Sequence, residues 1–260
     1  MELFNVSIEL FLAVFIPFIT VFVGAIYFVA PKFAFHYVGL DAQINFPEAF
    51  GEARSTFAGF LIALGALCAF FKEPILYFVL ASAWGFVAFG KLIQIIIDGD
   101  KRKSTILRFG LSVFLSAGLF YLIMMNGMTL NSVEFNFNLL QSGIAASISA
   151  FVTLLFGLLC FLMPAYSAKL MRIRGVEAIK GSAGELRGNI AGFYLALSLA
   201  VLLLGGTHIV LALGICWLMT AFGRMVSMIF DGTSNLFNWL SLIVELSLAC
   251  LPLLSAFGVL

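Results

Sequence analysis

Charge is what this chain has least of: Lys, Arg, Asp and Glu make up 10% of its 260 residues, against 63% hydrophobic residues and a mean hydropathy of +1.13. A soluble domain needs a charged exterior, and 14 bases with 13 acids cannot cover one of this size, whereas helices that face lipid need none. A cytosolic enzyme is therefore excluded. A net charge of +1 also excludes nucleic acid as a bulk electrostatic partner. Cysteine is sparse too: Cys68, Cys160, Cys216 and Cys250 all fall inside apolar runs with no close-spaced pair, which predicts small core residues rather than a metal site or a disulfide framework. The two histidines, His36 and His208, fall at opposite faces of the membrane in the topology below, which argues against a bis-histidine haem or a histidine metal site within the bundle. No Walker loop, CxxC, HExxH or Ser/His/Asp arrangement occurs, so neither an enzyme nor a cofactor is expected. The first charges are Glu2 and Glu9 and the first Lys is Lys32, so the first apolar run lacks the basic region of a signal peptide and is expected to stay in the mature chain.

Long apolar runs are what the chain does have. They lie near 10–30, 50–71, 75–97, 106–125, 140–163, 184–204, 208–230 and 237–259. Each reaches about 20 residues, enough to cross roughly 30 Å of hydrocarbon as a helix. Runs such as Ile75 to Ala83 lack the alternation of a β-barrel strand. The expected fold class is an all-α polytopic membrane protein of eight transmembrane helices. Alternating the loops puts 13 of 14 basic residues on one side and only Lys72 on the other. That bias predicts a bacterial inner-membrane protein with this side cytoplasmic and both termini periplasmic or extracellular. The 30 phenylalanines are read mainly as lipid-facing bulk.

The strongest signal is an internal repeat. Gly51-Glu52-Ala53-Arg54 returns as Gly184-Glu185-Leu186-Arg187, Trp84 as Trp217, Ala88-Phe89-Gly90-Lys91 as Ala221-Phe222-Gly223-Arg224, and Asp98-Gly99 as Asp231-Gly232, always 133 residues later. Pairing 51–99 with 184–232 gives 16 identities in 49 positions, where random apolar sequence would give about 5. The reading is a tandem duplication, 1–133 and 134–260, of a four-helix unit whose copies share one orientation about an axis along the membrane normal.

Glu-x-Arg opening a helix, followed by small residues and then a helix ending Gly-Arg-x6-Asp-Gly, resembles the bacterial membrane family catalogued as domain of unknown function 4345. Glu185, Arg187, Gly223, Arg224, Asp231 and Gly232 match that pattern, while the first copy carries Lys91 in place of the Arg. The resemblance implies a four-helix bundle in the bacterial inner membrane and no activity to inherit.

Topology places Glu52, Arg54, Lys91 and Asp98 at one end of a single helical hairpin, and Glu185, Arg187, Arg224 and Asp231 at the same end of its repeat. Charges at membrane depth are costly unless paired, so each set is expected to form an ion network within its own hairpin. Three readings stay open: a structural lock, a pocket for an anionic headgroup or metabolite through Arg187 and Arg224, and, opposed by the interposed arginines, a divalent ion. Ser55, Gly59 and Ala63 on one helix, and Gly188, Gly192 and Ala196 on its repeat, lie on small-residue stripes that predict a central packing seam. Glu245 has no counterpart, since Ser112 stands 133 residues earlier. No base is expected at its depth, so it reads as a carboxyl without an ion partner: a neutral Glu hydrogen-bonded to a hydroxyl or backbone carbonyl within the bundle, a proton-labile site in a cavity, or a polar hook for a partner helix. Two functions follow: a non-enzymatic accessory or scaffold subunit packed in the lipid bilayer against a membrane-protein partner or a second copy, or a carrier or receptor for a small amphiphilic or anionic molecule or lipid.

Overall fold

The computed structural model describes residues 2–43, 46, 48–125, 142–176 and 183–259. Lys180, the first residues of the fifth apolar run and the boundary between 1–133 and 134–260 lie outside the described residues. Among those described, eight helices are long and apolar enough to cross a membrane. The first half comprises α1 (Glu2–Val29), α2 (Pro31–Val38), β1 (Leu40–Ala42), α3 (Ala49–Glu52), a π-helical turn (Ala53–Phe57), α4 (Ala58–Phe71), α5 (Pro74–Ile96) and α6 (Lys103–Met125). The second comprises α7 (Ile144–Leu162), α8 (Pro164–Leu170), β2 (Ile173–Gly175), α9 (Ala183–Glu185), a π-helical turn (Leu186–Ile190), α10 (Ala191–Leu203), α11 (Thr207–Phe230) and α12 (Leu236–Ala256). The α3 and α9 segments run through their π-turns into α4 and α10 as single spans. From α2 and α8 onward, corresponding elements start 133 residues apart, apart from the short segments α3 and α9.

Local chemistry sets the element ends. Proline opens α2, α5 and α8 at the first helical position, where its missing N–H costs nothing. Between α4 and α5 the chain reverses at Lys72 with φ of 53°, and between α10 and α11 it does so at Gly205 and Gly206 with φ of 64° and 97°. Only the second of these turns uses the residue for which a left-handed φ is free of strain.

Burial divides the bundle into an inner and an outer set. The α10 span is 78% buried and the α3–α4 span 67%, whereas α12 is 28% buried and α6 33%. The inner helices pack across the halves: α4 lies on α11, and α10 on α5. The small-residue stripes make these crossings possible. A Cβ on Gly59 would sit 2.8 Å from the Thr220 Cα, and one on Gly192 would sit 3.0 Å from the Ala83 carbonyl oxygen. Ser55, Ala63 and Ala196 are buried beside them, and the carbonyl of Val87 is 3.4 Å from a Cβ placed on Gly188. Aromatic rings fill the centre, with Phe60 against Tyr194 and Trp217, and Trp84 against Phe193. Each of those indoles donates to a threonine on its own half's first helix: Trp84 Nε1 to Thr20 Oγ1 at 3.0 Å, and Trp217 Nε1 to Thr153 Oγ1 at 2.8 Å.

At the basic end, β1 and β2 pair antiparallel with Asp41 opposite Arg174, and the two side chains bridge at 3.0 Å. Phenylalanine serves both expected and unexpected ends: Phe18, Phe22, Phe70 and Phe230 are exposed on the apolar belt, but Phe35, Phe57, Phe60 and Phe193 are core. Cys68, Cys160 and Cys216 are buried, while Cys250 is exposed on the outer helix α12 and so is not the core residue expected.

Candidate functional site

The charged residues do not close within hairpins. They pair across the halves, because α4 packs on α11 rather than on α5, so each acid at the start of an inner helix faces the other half's base. Glu52 accepts from Arg224 Nη1 at 2.8 Å and Nη2 at 3.2 Å, and Glu185 pairs with Lys91. Arg54 forks onto Asp231 through Nε at 2.8 Å and Nη2 at 3.1 Å, and also donates to the Phe28 carbonyl. Arg187 Nη1 reaches Asp98 at 2.9 Å. The expected hairpin networks are thus replaced by two interlocked sets.

Glycine makes the interlock possible. A Cβ on Gly223 would lie 2.6 Å from the carbonyl carbon of Arg54, and one on Gly90 would lie 2.8 Å from that of Arg187. The π-turn of one half therefore rests directly on the helix of the other, and the adjacent cation, Arg224 or Lys91, reaches the acid that opens that turn.

Beyond these shared pairs the two clusters diverge in charge. In the first, Glu185 Oε1 also accepts from Arg108 Nη1 at 2.5 Å, and Oε2 accepts from Asn189 at 3.1 Å. Asn189 in turn donates to the hydroxyl of Tyr27, which is buried against Phe57. Two cations face one acid. In the second, Glu245 Oε1 accepts from Arg224 Nε at 2.8 Å and Nη2 at 2.6 Å. This overturns the expectation that no base stands at its depth: Arg224 lies six residues inside α11 and Glu245 nine inside α12, depths of about 9 and 14 Å at 1.5 Å per residue. Two acids face one cation, and Thr56 and Asn238 complete the set.

Every N–H of Arg224 is engaged by Glu52, Glu245 or Asn238. Every carboxylate oxygen in the two clusters has a donor except Glu245 Oε2, which is buried and unpartnered. Glu245 is among the residues that line a cavity of about 370 Å3 between α7, α8, α10, α11 and α12. Glu52, Arg224 and Glu245 form its buried inner wall, and Cys160, Tyr194 and Trp217 line it further in. Its rim carries Phe156, Leu170, Leu240 and Val244, all exposed on the apolar belt, so it opens sideways toward lipid.

At the corresponding positions of the first half the side chains are bulkier. Cys160 and Ser241 line the cavity, and the residues 133 positions before them are Tyr27 and Arg108. Both are drawn onto the Glu185 cluster, Arg108 directly and Tyr27 through Asn189.

At the rim of the membrane end, Arg172 pairs with Glu48 and lies over Phe46 at 4.7 Å and Phe237 at 4.3 Å. In the α5–α6 loop, Asp100 accepts from Arg102, Thr105 and Gln94. The Arg102 guanidinium holds the Asp100 carboxyl well below the usual carboxylate range, with Thr105 adding to the effect and burial opposing it. Lys101 and Lys103 flank this loop, exposed. His36 is exposed on α2 and His208 opens α11 beside Phe71, at opposite ends of the bundle as expected. Among the described residues no group of His, Cys, Asp and Glu is placed to hold a metal ion.

Sequence reasoning missed Arg108, Asn238, Thr56 and the cavity. The signal for the cavity was present as two substitutions between the repeats, Tyr27 by Cys160 and Arg108 by Ser241, each of which removes bulk. Comparison with protein-family models, curated proteins and solved structures finds no match for the chain.

Proposed function

We propose that this multi-pass membrane protein is a receptor or carrier for a small amphiphile, held in the cavity of its second half and reached from the bilayer. One observation carries the reading: an apolar cavity lined by Glu245, whose Oε2 is buried without a donor, and by Cys160 and Ser241 where the first half carries the bulkier Tyr27 and Arg108. A buried polar atom left unpaired costs about 1–3 kcal/mol, so a ligand that supplies its partner gains by entering. The cavity volume falls within the roughly 300–1,000 Å3 usual for ligand pockets, and its apolar lining with few polar groups is their usual chemistry. In this reading the chain arose by tandem duplication, the first copy kept the interlock with a closed interior, and the second opened a site. The basic end faces the cytoplasm, so a phosphatase fused after Leu260 is expected to be active, and one in the loop around Arg174 inactive.

The test rebuilds the first half's filling in the second. Cys160→Tyr/Ser241→Arg installs side chains that the chain already accommodates at Tyr27 and Arg108. Native mass spectrometry of the full chain extracted in mild detergent is expected to show a co-purifying amphiphile on the wild type and none on this variant. Equal retention by both refutes the pocket. A stoichiometric protein partner with no amphiphile on the wild type favours the scaffold function instead.

A further inference from the structure

The cavity's chemistry also selects the head of its occupant. Resting on the pocket reading above, we infer that the ligand is a single-chain amphiphile with a monocationic, hydrogen-bond-donating head, such as a long-chain primary ammonium, and that Glu245 Oε2 accepts from that head.

With both acids ionised, Glu52, Glu245 and Arg224 sum to one formal negative charge in a wall that is nearly closed to solvent, with residues 4%, 4% and 2% exposed. An ion left unbalanced in such surroundings is expensive, and a cation placed beside it removes the imbalance. An anionic head meets the opposite conditions. Arg224 has no N–H left to offer, because all five are taken by Glu52, Glu245 and Asn238. Arg172, which lies over the cavity-lining Phe237, is paired with Glu48. The remaining polar groups on the wall are uncharged: Thr56 already donates to Glu52, the Trp217 indole donates to Thr153, and Ser167, Ser241, Tyr194 and Cys160 carry no charge to attract an anion.

The first half reads as an internal control for the same rule. There the acid Glu185 is answered by a second cation from the chain itself, Arg108, at the position that Ser241 holds in the second half. Ser241 and Glu245 lie one turn apart on the same face of α12, so a ligand ammonium beside Ser241 would stand where Arg108 supplies charge in the first half. The apolar tail then runs toward Leu240, Val244 and Phe156 at the lipid-facing rim.

Equilibrium binding of labelled dodecylamine, dodecanol and dodecanoate to the full chain in a maltoside detergent at neutral pH tests this. The wild type is expected to bind dodecylamine roughly tenfold or more tighter than dodecanol, the usual advantage of a charge-assisted hydrogen bond, and dodecanoate weakest. Glu245→Gln is expected to abolish the amine's advantage while leaving dodecanol binding in place. Ser241→Lys, which keeps the acid and adds an ammonium from the chain, is expected to lose dodecylamine selectively, and it decides the matter if Glu245→Gln does not fold. Dodecanoate binding as tightly as dodecylamine, or Ser241→Lys retaining the amine, overturns the head-group assignment; if Cys160→Tyr/Ser241→Arg then binds none of the probes, the pocket itself stands. If that filled variant binds all three like the wild type, the pocket reading fails and this inference falls with it.

Discussion

Replacing Arg224 by Gln should be among the most damaging single changes in the protein, and replacing Glu52 by Gln among the milder ones, although the two side chains hold each other. The order follows from counting charge. The wild-type cluster holds Glu52, Glu245 and Arg224. Removing the arginine leaves two buried carboxylates facing one another with only Thr56 and Asn238 near them, an uncompensated state that costs about 3–5 kcal/mol. Removing Glu52 instead leaves one acid with one base, and the loss is about 1 kcal/mol of hydrogen bonding. The first half inverts the rule, because Lys91 and Arg108 there face Glu185 alone. Glu185→Gln is expected to cost about 3–5 kcal/mol and Arg108→Gln about 1 kcal/mol. Equilibrium unfolding of the four variants in mixed detergent micelles measures all of these. Each pair then gives a coupling energy, and Arg224 is expected to couple to Glu52 but not to Glu185. Equal costs for the acid and the base in both halves, or coupling of Arg224 to Glu185, would refute the exchanged pairing and the charge count behind it.

The outer pair Arg54–Asp231 is part-exposed, at 13% and 24% of the side chain, so Arg54→Asp or Asp231→Arg alone should cost about 1 kcal/mol and the reversed pair should recover most of it in thermal melts. Gly223→Ala forces a Cβ against the Arg54 carbonyl carbon and should destabilise by about 1–3 kcal/mol, whereas Gly110→Ala, with nothing within 4 Å, should be neutral or stabilising in the same assay. Asp100 is ionised in the fold at a lower pH than in the unfolded chain, so its stabilisation is complete above an unfolded carboxyl pKa of about 4 and is lost as pH falls toward its depressed folded value. Asp100→Asn should therefore show a constant stability deficit at neutral and mildly acidic pH, narrowing below about pH 4, and a deficit that widens there would contradict the assignment.

The eight spans were legible because hydropathy is a local property. The ends observed at Phe71, Pro74, Ile96 and Leu203 lie within a residue or so of the apolar runs. The 133-residue spacing that separates Glu52 from Glu185 and Lys91 from Arg224 in the sequence is also the spacing between most corresponding element starts. Contact was not legible. A repeat says which residues play the same part, and it leaves open whether each part is played with the copy's own partner or with its neighbour's. Glu52 and Lys91 share a hairpin in sequence, but the Gly59 face of α4 turns to Thr220 of α11, and the acid goes with it. Glu245 was misjudged for the same reason: its base, Arg224, had been assigned to Asp231. The π-turns carry no signal in composition. The cavity depended on absent bulk at Cys160 and Ser241, which hydropathy treats as unremarkable.

The exchanged pairing also has a consequence in time. Glu52 is 172 residues upstream of the arginine that neutralises it. At a synthesis rate of about 5–20 residues per second, roughly 10–30 s pass between the two leaving the ribosome. From completion of the fourth span at Met125 until Arg187 is made, the first four spans have Glu52, Arg54 and Asp98 all lacking their native counterparts, and Glu52 and Arg54 wait longer still, so the leading half is an unfinished object that its own residues cannot complete. Maturation is then gated by arrival of the trailing half, and a chain stalled at the midpoint would present those charges to membrane quality control. Supplied as two separate polypeptides, the halves should find each other, since what each lacks is what the other carries.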